Sequence, residues 1–220
     1  ALGGRVAFEG LLQARERQAL KQAFGGYVSP AIMDEILAGR LGSGLGGARH
    51  TLCVLFADIR SFTTRSETMA PEALIGLLNR YFEEVTAAVH AHGGTVDKFI
   101  GDGVMVFFGA PKDLENPTLP AFATAQEMLA RLATLNQALA AEGLSPLEIG
   151  IGLHCGDAVV GHIGSAARHE YTAIGDTVNV ASRLEDIAGP DEVIITEDTR
   201  QHLGDRFGQL AGFGVLDVIA

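Results

Sequence analysis

An α+β fold, a mixed and largely antiparallel sheet with helices packed on it, follows from three features of this 220-residue chain. Strand-like and helix-like segments alternate from about residue 48 onward, a pattern that alone would also suit a parallel doubly wound sheet. Two apolar β-prone segments, about 94–100 and 103–109, however, flank the tight turn Ile100-Gly101-Asp102-Gly103. Asp-Gly between alternating apolar residues is a strong hairpin signal, and a hairpin demands antiparallel pairing. Finally, a hydrophobic fraction of 47% and a mean hydropathy of +0.22 supply enough apolar side chain for a sizeable core. A mixed sheet with helices on one face is therefore expected.

In chain order, residues 1–24 set Leu11, Leu12, Ala19, Leu20 and Phe24 among Arg15, Glu16, Arg17 and Lys21, a spacing compatible with an amphipathic helix. Gly25-Gly26 interrupts it. Ser29-Pro30 reads as a cap followed by the first residue of a short helix over 30–38. From Gly39 to Gly47 five of nine residues are glycine, which marks a linker. The chain thus divides into an N-terminal helical segment with its linker, 1–47, and a main domain, 48–220.

The main domain opens with the apolar strand Leu52-Cys53-Val54-Leu55-Phe56-Ala57-Asp58. A short helix follows over Ser61–Glu67, and Pro71 starts a longer one whose Leu74, Leu78, Tyr81, Phe82, Val85 and Val89 step by three and four. Gly93-Gly94 stops it before the hairpin. Asn116-Pro117 opens a helix with Phe122, Ala125, Leu129, Leu132, Leu135 and Leu139 on one face, ended by Gly143. Leu147–Cys155 and Ala158–Ile163 read as two strands, with a polar excursion over Gly164–Glu170. Thr177–Ala188 is helical, Glu192–Thr196 a strand, Asp198–Leu203 a short helix, and the tail from Phe207 a last strand or hairpin. No internal repeat is visible.

Composition excludes some partners. With 16 Lys+Arg against 27 Asp+Glu the net charge is −11, and no basic stripe exists to neutralise a nucleic-acid backbone. No run of 18 uncharged apolar residues and no signal-peptide pattern occurs. A soluble cytoplasmic domain is expected. Cys53 and Cys155 lie in apolar runs without metal-ligand spacing and read as small core residues kept reduced.

Taken alone, Asp102 is a turn former. Beside Asp58 at the end of another strand, it becomes half of an oxygen-ligand pair suited to Mg²⁺, which takes one or two carboxylates plus substrate phosphates. Asn179 and Arg183, four apart, share a helix face; by spacing alone they are an exposed polar pair.

Phe56-Ala57-Asp58-Ile59 with Phe62-Thr63, then Lys98-Phe99-Ile100-Gly101-Asp102, then Thr172-Ala173-Ile174-Gly175 running into Thr177-Val178-Asn179-Val180-Ala181-Ser182-Arg183, together resemble the class III nucleotidyl cyclases. The similarity covers about residues 50–200, in order and at family-like distances. It implies a ferredoxin-like catalytic domain over 48–220. It assigns metal binding to Asp58, Asp102 and the carbonyl of Ile59, with two Mg²⁺ or Mn²⁺ per site assisting attack of the ribose 3′-hydroxyl on the α-phosphorus and loss of pyrophosphate. Backbone amides around Phe62 and Thr63 would receive the terminal phosphates. Asn179 would orient the ribose, and Arg183 would stabilise transition-state charge on the α-phosphoryl group. Lys98 and Thr172 fall where the family reads the base: lysine donates to a ring nitrogen of adenine, and threonine accepts from its exocyclic amine. Guanylyl cyclases usually carry Glu and Cys or another small residue there, so ATP is the implied substrate.

Because metal and transition-state residues stand in one chain, the resemblance implies a homodimer with two composite sites. The family's phosphate-binding lysine, expected near Ala211-Gly212-Phe213-Gly214, has no counterpart, since no lysine follows Lys112; Arg206 is a candidate substitute. Phe24-Gly25-Gly26-Tyr27-Val28-Ser29-Pro30 is similar to the segment preceding this domain in receptor-type bacterial cyclases, which implies an upstream sensor or membrane module and a cytosolic output domain. Three alternatives stand: a guanylate cyclase, a degenerate domain serving as a nucleotide-binding dimerisation module, and a diguanylate cyclase. The last wants a second acidic residue at the hairpin tip, which Ile100-Gly101-Asp102-Gly103 lacks.

Overall fold

Strand β1, Gly46–Ile59, is the strand against which the sheet is built. The computed structural model describes residues 29–41, 45–204 and 215–219, with Arg15, Gln18, Ala19, Lys21 and Ala23 as isolated positions. The chain divides into two units, residues 1–44 and 45–220. Within the first, α1 (Pro30–Leu37) starts where the sequence places it: Ser29 Oγ accepts the Ile32 amide and proline occupies the first turn. Lys21 pairs with Asp34 at 2.6 Å.

In the second unit, β1 is followed by α2 (Phe62–Thr68), α3 (Pro71–Ala91), β2 (Thr95–Ile100), β3 (Gly103–Phe108), α4 (Thr118–Ala141), β4 (Ile149–Gly164), β5 (His169–Ile174), α5 (Asp176–Ile187), β6 (Glu192–Thr196), α6 (Glu197–Leu203) and β7 (Val215–Ile219). The sheet runs β2-β3-β1-β4-β6-β7, with β5 paired to β4 off that path. Pairings among β1 to β5 are antiparallel, and β4–β6 and β6–β7 are parallel. The mixed, largely antiparallel sheet is the expected one.

Several details differ from the sequence reading. Gly46 and Gly47, counted there as linker, are ladder residues opposite His162 and Gly161. The two strands expected at 147–155 and 158–163 are one 16-residue strand, because β1 pairs with it without a break from Ile149 to His162. Helices also cover both faces of the sheet. On one face Cys53, Leu55, Ala57 and Ile59 pack with Leu77, Tyr81 and Val85 of α3 and Phe122, Ala125 and Met128 of α4. On the other, Leu52 and Val54 pack with Met105, Phe107, Ala173 and Ala181 of α5. Leu52 and Val54 are wholly buried, each contributing about 1.5–3 kcal/mol by leaving water. That burial is what holds α5 to the sheet.

Cys53 and Cys155 face each other across β1 and β4 and are joined in a disulfide, so the reading of two separate reduced cysteines is corrected while their burial stands. The tail segment with Arg206 and Ala211–Gly214, where the phosphate-binding lysine was sought, lies outside the described residues. Among the described residues no helix is long and apolar enough to cross a membrane.

Candidate active site

β1 delivers Asp58 at its C-terminal end, and the β2–β3 hairpin delivers Asp102 beside it. The hairpin forms as predicted, with Gly101-Asp102 as its loop residues between β2 and β3. Gly101 takes the positive φ (64°) that such a turn demands. Gly103 begins β3 and serves another purpose: a Cβ there would stand 3.3 Å from the Ala57 carbonyl oxygen and 3.5 Å from Asp58 Cγ. A side chain there would be tight against the Ala57 carbonyl and in ordinary contact with Asp58.

The two carboxyl groups face each other. Burial first, then the hydrogen bond and negative charge of Asp58, raise the Asp102 carboxyl from 3.8 to about 7, against the pull of the Asp102 and Ile59 amides. Asp58 Oδ1 accepts the Ile59 amide at 2.8 Å. Two anions so placed resist simultaneous ionisation, and a divalent cation between them would replace that repulsion with attraction. Among the described residues no group of three or more His, Cys, Asp or Glu side chains could hold a metal. The donor set is therefore two carboxylates plus backbone oxygen, which suits Mg²⁺ or Mn²⁺ sharing its remaining positions with phosphate and water. The residues fit the metal.

Three residues around this pair escaped the sequence reading. The Arg60 guanidinium lies 3.9 Å from Asp58, pairs with the buried Glu185, and donates to the carbonyls of Glu185 (3.3 Å) and Ala188 (3.2 Å) at the C-terminus of α5. A cation at a helix C-terminus opposes the helix dipole, so Arg60 ties the metal-binding strand to α5. Gly150 makes room for it, since a Cβ there would meet the guanidinium carbon at 2.8 Å. Glu185 is the second such residue. Tyr81 is the third: its hydroxyl is fully buried and has no hydrogen-bond partner among the described residues, and burial, then the charges of Asp58 and Asp102, hold its pKa far above the usual tyrosine value.

Phe62 and Thr63 open α2 directly after this end of β1. Ser61 precedes them in the left-handed region (φ 58°) and its side chain caps no amide. Phe62 packs at the edge of the core, and Thr63 is exposed.

Lys98 of β2 and Thr172 of β5 are brought into one cluster through Asp97 and Glu170. Lys98 Nζ pairs with Glu170 at 2.5 Å and lies 3.9 Å from Asp97, and the Thr172 hydroxyl donates to Asp97. Neither Asp97 nor Glu170 was singled out in the sequence. Asn179 and Arg183 share the outer face of α5, both exposed; among the described residues neither side chain has a hydrogen-bonding or ionic partner. The helix beneath them is fixed by the Thr177 hydroxyl donating to the Asp157 carbonyl at 2.7 Å. The chain thus gathers its predicted residues into three separate sets: the carboxylate pair with Ile59 and the α2 start, the Lys98–Thr172 cluster, and the outward pair on α5.

This strand order and helix placement are those of the class III cyclase fold. Residues 47–212 match the sequence pattern of the adenylate and guanylate cyclase catalytic domain, and the chain belongs to that family. It is 42% identical over 137 residues, 62% of its length, to adenylate cyclase 1 of Rhizobium meliloti, and 36% identical over 174 residues to the uncharacterized protein Mb1354c of Mycobacterium bovis. Those matches span only 21% and 29% of the relatives' own lengths. Among solved structures it resembles the adenylyl cyclase CyaB from P. aeruginosa (41% identity, TM-score 0.68, covering 73% of this chain and 84% of that one). It also resembles the guanylyl cyclase Cya2 (40%, TM-score 0.71, 74% and 82%).

Proposed function

We propose that this domain is an adenylate cyclase that converts ATP to 3′,5′-cyclic AMP and pyrophosphate at two composite sites of a homodimer. The observation that carries the reading is the facing pair Asp58 and Asp102, two carboxylates brought together at a strand end and a hairpin tip. With the Ile59 carbonyl they would hold two Mg²⁺ or Mn²⁺, which when bound supply Lewis-acid charge neutralisation to the 3′-hydroxyl and the triphosphate. The reaction makes one O3′–Pα bond and breaks one Pα–O bond; the 3′-hydroxyl loses its proton and pyrophosphate leaves.

The chain's own groups then bind and orient. Arg183, planar and always charged, faces the α-phosphoryl oxygens as charge develops there, and Asn179 holds the ribose. Both point out of the chain that bears them, which supports their serving the carboxylate pair of a partner copy. Amides at Phe62 and Thr63 receive the terminal phosphates. Lys98 donates to a ring nitrogen and Thr172 accepts from the exocyclic amine. Similarity does not choose the base, because an adenylyl and a guanylyl cyclase are nearly equally alike to this chain. The choice of ATP therefore leans on Lys98 and Thr172 alone. Residues 1–47 are assigned to coupling this domain to an upstream sensor or membrane module.

The test is purified protein with ATP or GTP and Mg²⁺ or Mn²⁺, followed by chromatography for the cyclic product. Cyclic AMP from ATP, with far less cyclic GMP from GTP, is expected. Nucleotide binding without cyclic product under any pairing would overturn the enzyme reading in favour of a nucleotide-binding dimerisation module.

A further inference from the structure

Strand β2 is not regular. Val96 faces Val106 and Lys98 faces Met105, so Asp97 is an extra residue without a ladder partner. Successive strand residues normally point to opposite faces, whereas a bulge re-aims its side chains. Here the bulge lets Asp97 and Lys98 both reach β5: Asp97 meets Thr172 at 2.5 Å, and Lys98 meets Glu170. The Asp97 side chain is 1% exposed. A carboxylate buried that deeply costs several kcal/mol unless it is paired, and its partners are the Thr172 hydroxyl and the Lys98 ammonium at 3.9 Å. Burial raises the Asp97 pKa, and those same two partners oppose the rise.

We infer that Asp97 is a positioning residue that sets nucleotide choice by fixing the direction of the Thr172 hydroxyl proton. The inference rests on the reading of Lys98 and Thr172 as the residues that meet the base. A threonine hydroxyl has one proton and two lone pairs, so on its own it serves an amine or a carbonyl equally. A carboxylate has no proton to give, so the hydrogen between Thr172 and Asp97 belongs to Thr172 and points at Asp97. Only lone pairs of Thr172 Oγ1 remain for the nucleotide. The 6-amino group of adenine then meets an acceptor, while the 6-oxo group of guanine meets acceptor against acceptor and is left unpaired. Threonine discriminates here because its one proton is already engaged by a neighbour. Asp97 itself need not touch the nucleotide.

The test measures kcat and KM of the full chain with ATP, GTP and purine riboside triphosphate, which is ATP without its amino group. Three variants are compared with wild type. Asp97→Asn, whose amide can donate to Thr172 as well as accept from it, lowers the ATP:GTP preference less than Asp97→Val does. Asp97→Val frees the hydroxyl proton, so the preference falls roughly tenfold or more. That fall lies mainly in a lower KM for GTP, and the advantage of ATP over the deamino analogue is kept, because the freed hydroxyl still accepts from the amine. Adding Thr172→Val to Asp97→Val lowers the ATP:GTP preference no further, because a freed hydroxyl and a missing one alike fail to tell amine from carbonyl, but it removes the advantage of ATP over the deamino analogue. Should the valine variant not fold, Asp97→Ala carries the same expectations. Preservation of the ATP:GTP preference in a folded Asp97→Val or Asp97→Ala protein overturns the inference. Thr172→Val alone separates the two levels: if it lowers the ATP:GTP ratio and Asp97→Val does not, only the role of Asp97 falls. If it leaves the ratio unchanged, the base-reading assignment falls and takes this inference with it.

Discussion

Gly152 lies in β4 directly beneath α5, and a methyl group there tests how closely that helix must sit. A Cβ at Gly152 would stand 2.2 Å from the Glu185 amide nitrogen and 2.4 Å from the Ala181 carbonyl oxygen, where ordinary contact begins at 3.4 Å. Both atoms are backbone and cannot rotate aside, so Gly152→Ala lifts α5 by about 1 Å. Overpacking of this kind costs about 1–3 kcal/mol. The larger effect falls on turnover, because α5 carries Asn179 and Arg183, and a displacement of about 1 Å costs on the order of 100-fold in rate. Loss in kcat rather than KM is expected, since the proposed role of Arg183 is to meet charge that develops only in the transition state. The ATP:GTP preference stays put, because Lys98 and Thr172 are not on the helix. Steady-state cyclase kinetics and a thermal melt read both effects. Gly76→Ala is the control: nothing lies within 4 Å of its Cβ, and in a helix interior it stabilises by about 0.5–1 kcal/mol with activity unchanged. Wild-type kcat and melting temperature in Gly152→Ala would refute the reasoning.

Three other outcomes follow from the site. Asp58→Asn and Asp102→Asn each abolish metal-dependent cyclic AMP formation without lowering the melting temperature, because removing one anion relieves the carboxylate repulsion; near-normal activity in either variant would defeat the metal assignment. Lys98→Glu combined with Thr172→Cys erodes the ATP preference, measured as the ratio of kcat/KM for ATP and GTP, and an unaltered ratio would remove both residues from base recognition. Finally, Asp58→Asn and Arg183→Ala proteins, each nearly inactive alone, recover about a quarter of wild-type activity when mixed in equal amounts. Half of the randomly exchanged dimers then hold one intact site of two. No recovery after exchange is verified with differently tagged subunits would mean that each site is built within one chain.

How far the residues announced this structure depends on the range of the interaction. The hairpin, the helix starts at Ser29-Pro30 and Pro71, and the apolar faces of α3 and α4 were legible because period and turn chemistry are local signals. On α3 the fully buried set includes Leu77 and Ala88, while Leu74, Leu78 and Phe82 sit partly exposed at its edge. Periodicity finds a face but not its centre. The second covered face of the sheet was written in Leu52-Cys53-Val54-Leu55, whose unbroken apolar run signals burial on both sides. Arg60 and Glu185 were beyond reach: 125 positions separate them, and neither residue type foretells the other. Asp97 was hidden for a different reason. In a regular strand it would have faced away from Lys98, and no residue in Thr95-Val96-Asp97-Lys98 marks the bulge that turns it.

In the proposed homodimer the β2–β3 hairpin belongs to two sites at once. Lys98 and Asp102 stand four positions apart on it, yet in the proposed homodimer the lysine reads the base at one site while the aspartate binds metal at the other. Arg60 makes a second such link, holding the strand of Asp58 to the helix of Arg183. The two sites therefore share moving parts. A nucleotide that draws Lys98 away from Glu170 pulls on the same short loop that aims Asp102 into the neighbouring site, and so alters the terms on which the second nucleotide arrives. Communication of this kind needs no separate regulatory element. Its expected signature is an ATP saturation curve with a Hill slope different from one in the wild-type homodimer, and a simple hyperbola in the mixed dimer that retains a single working site.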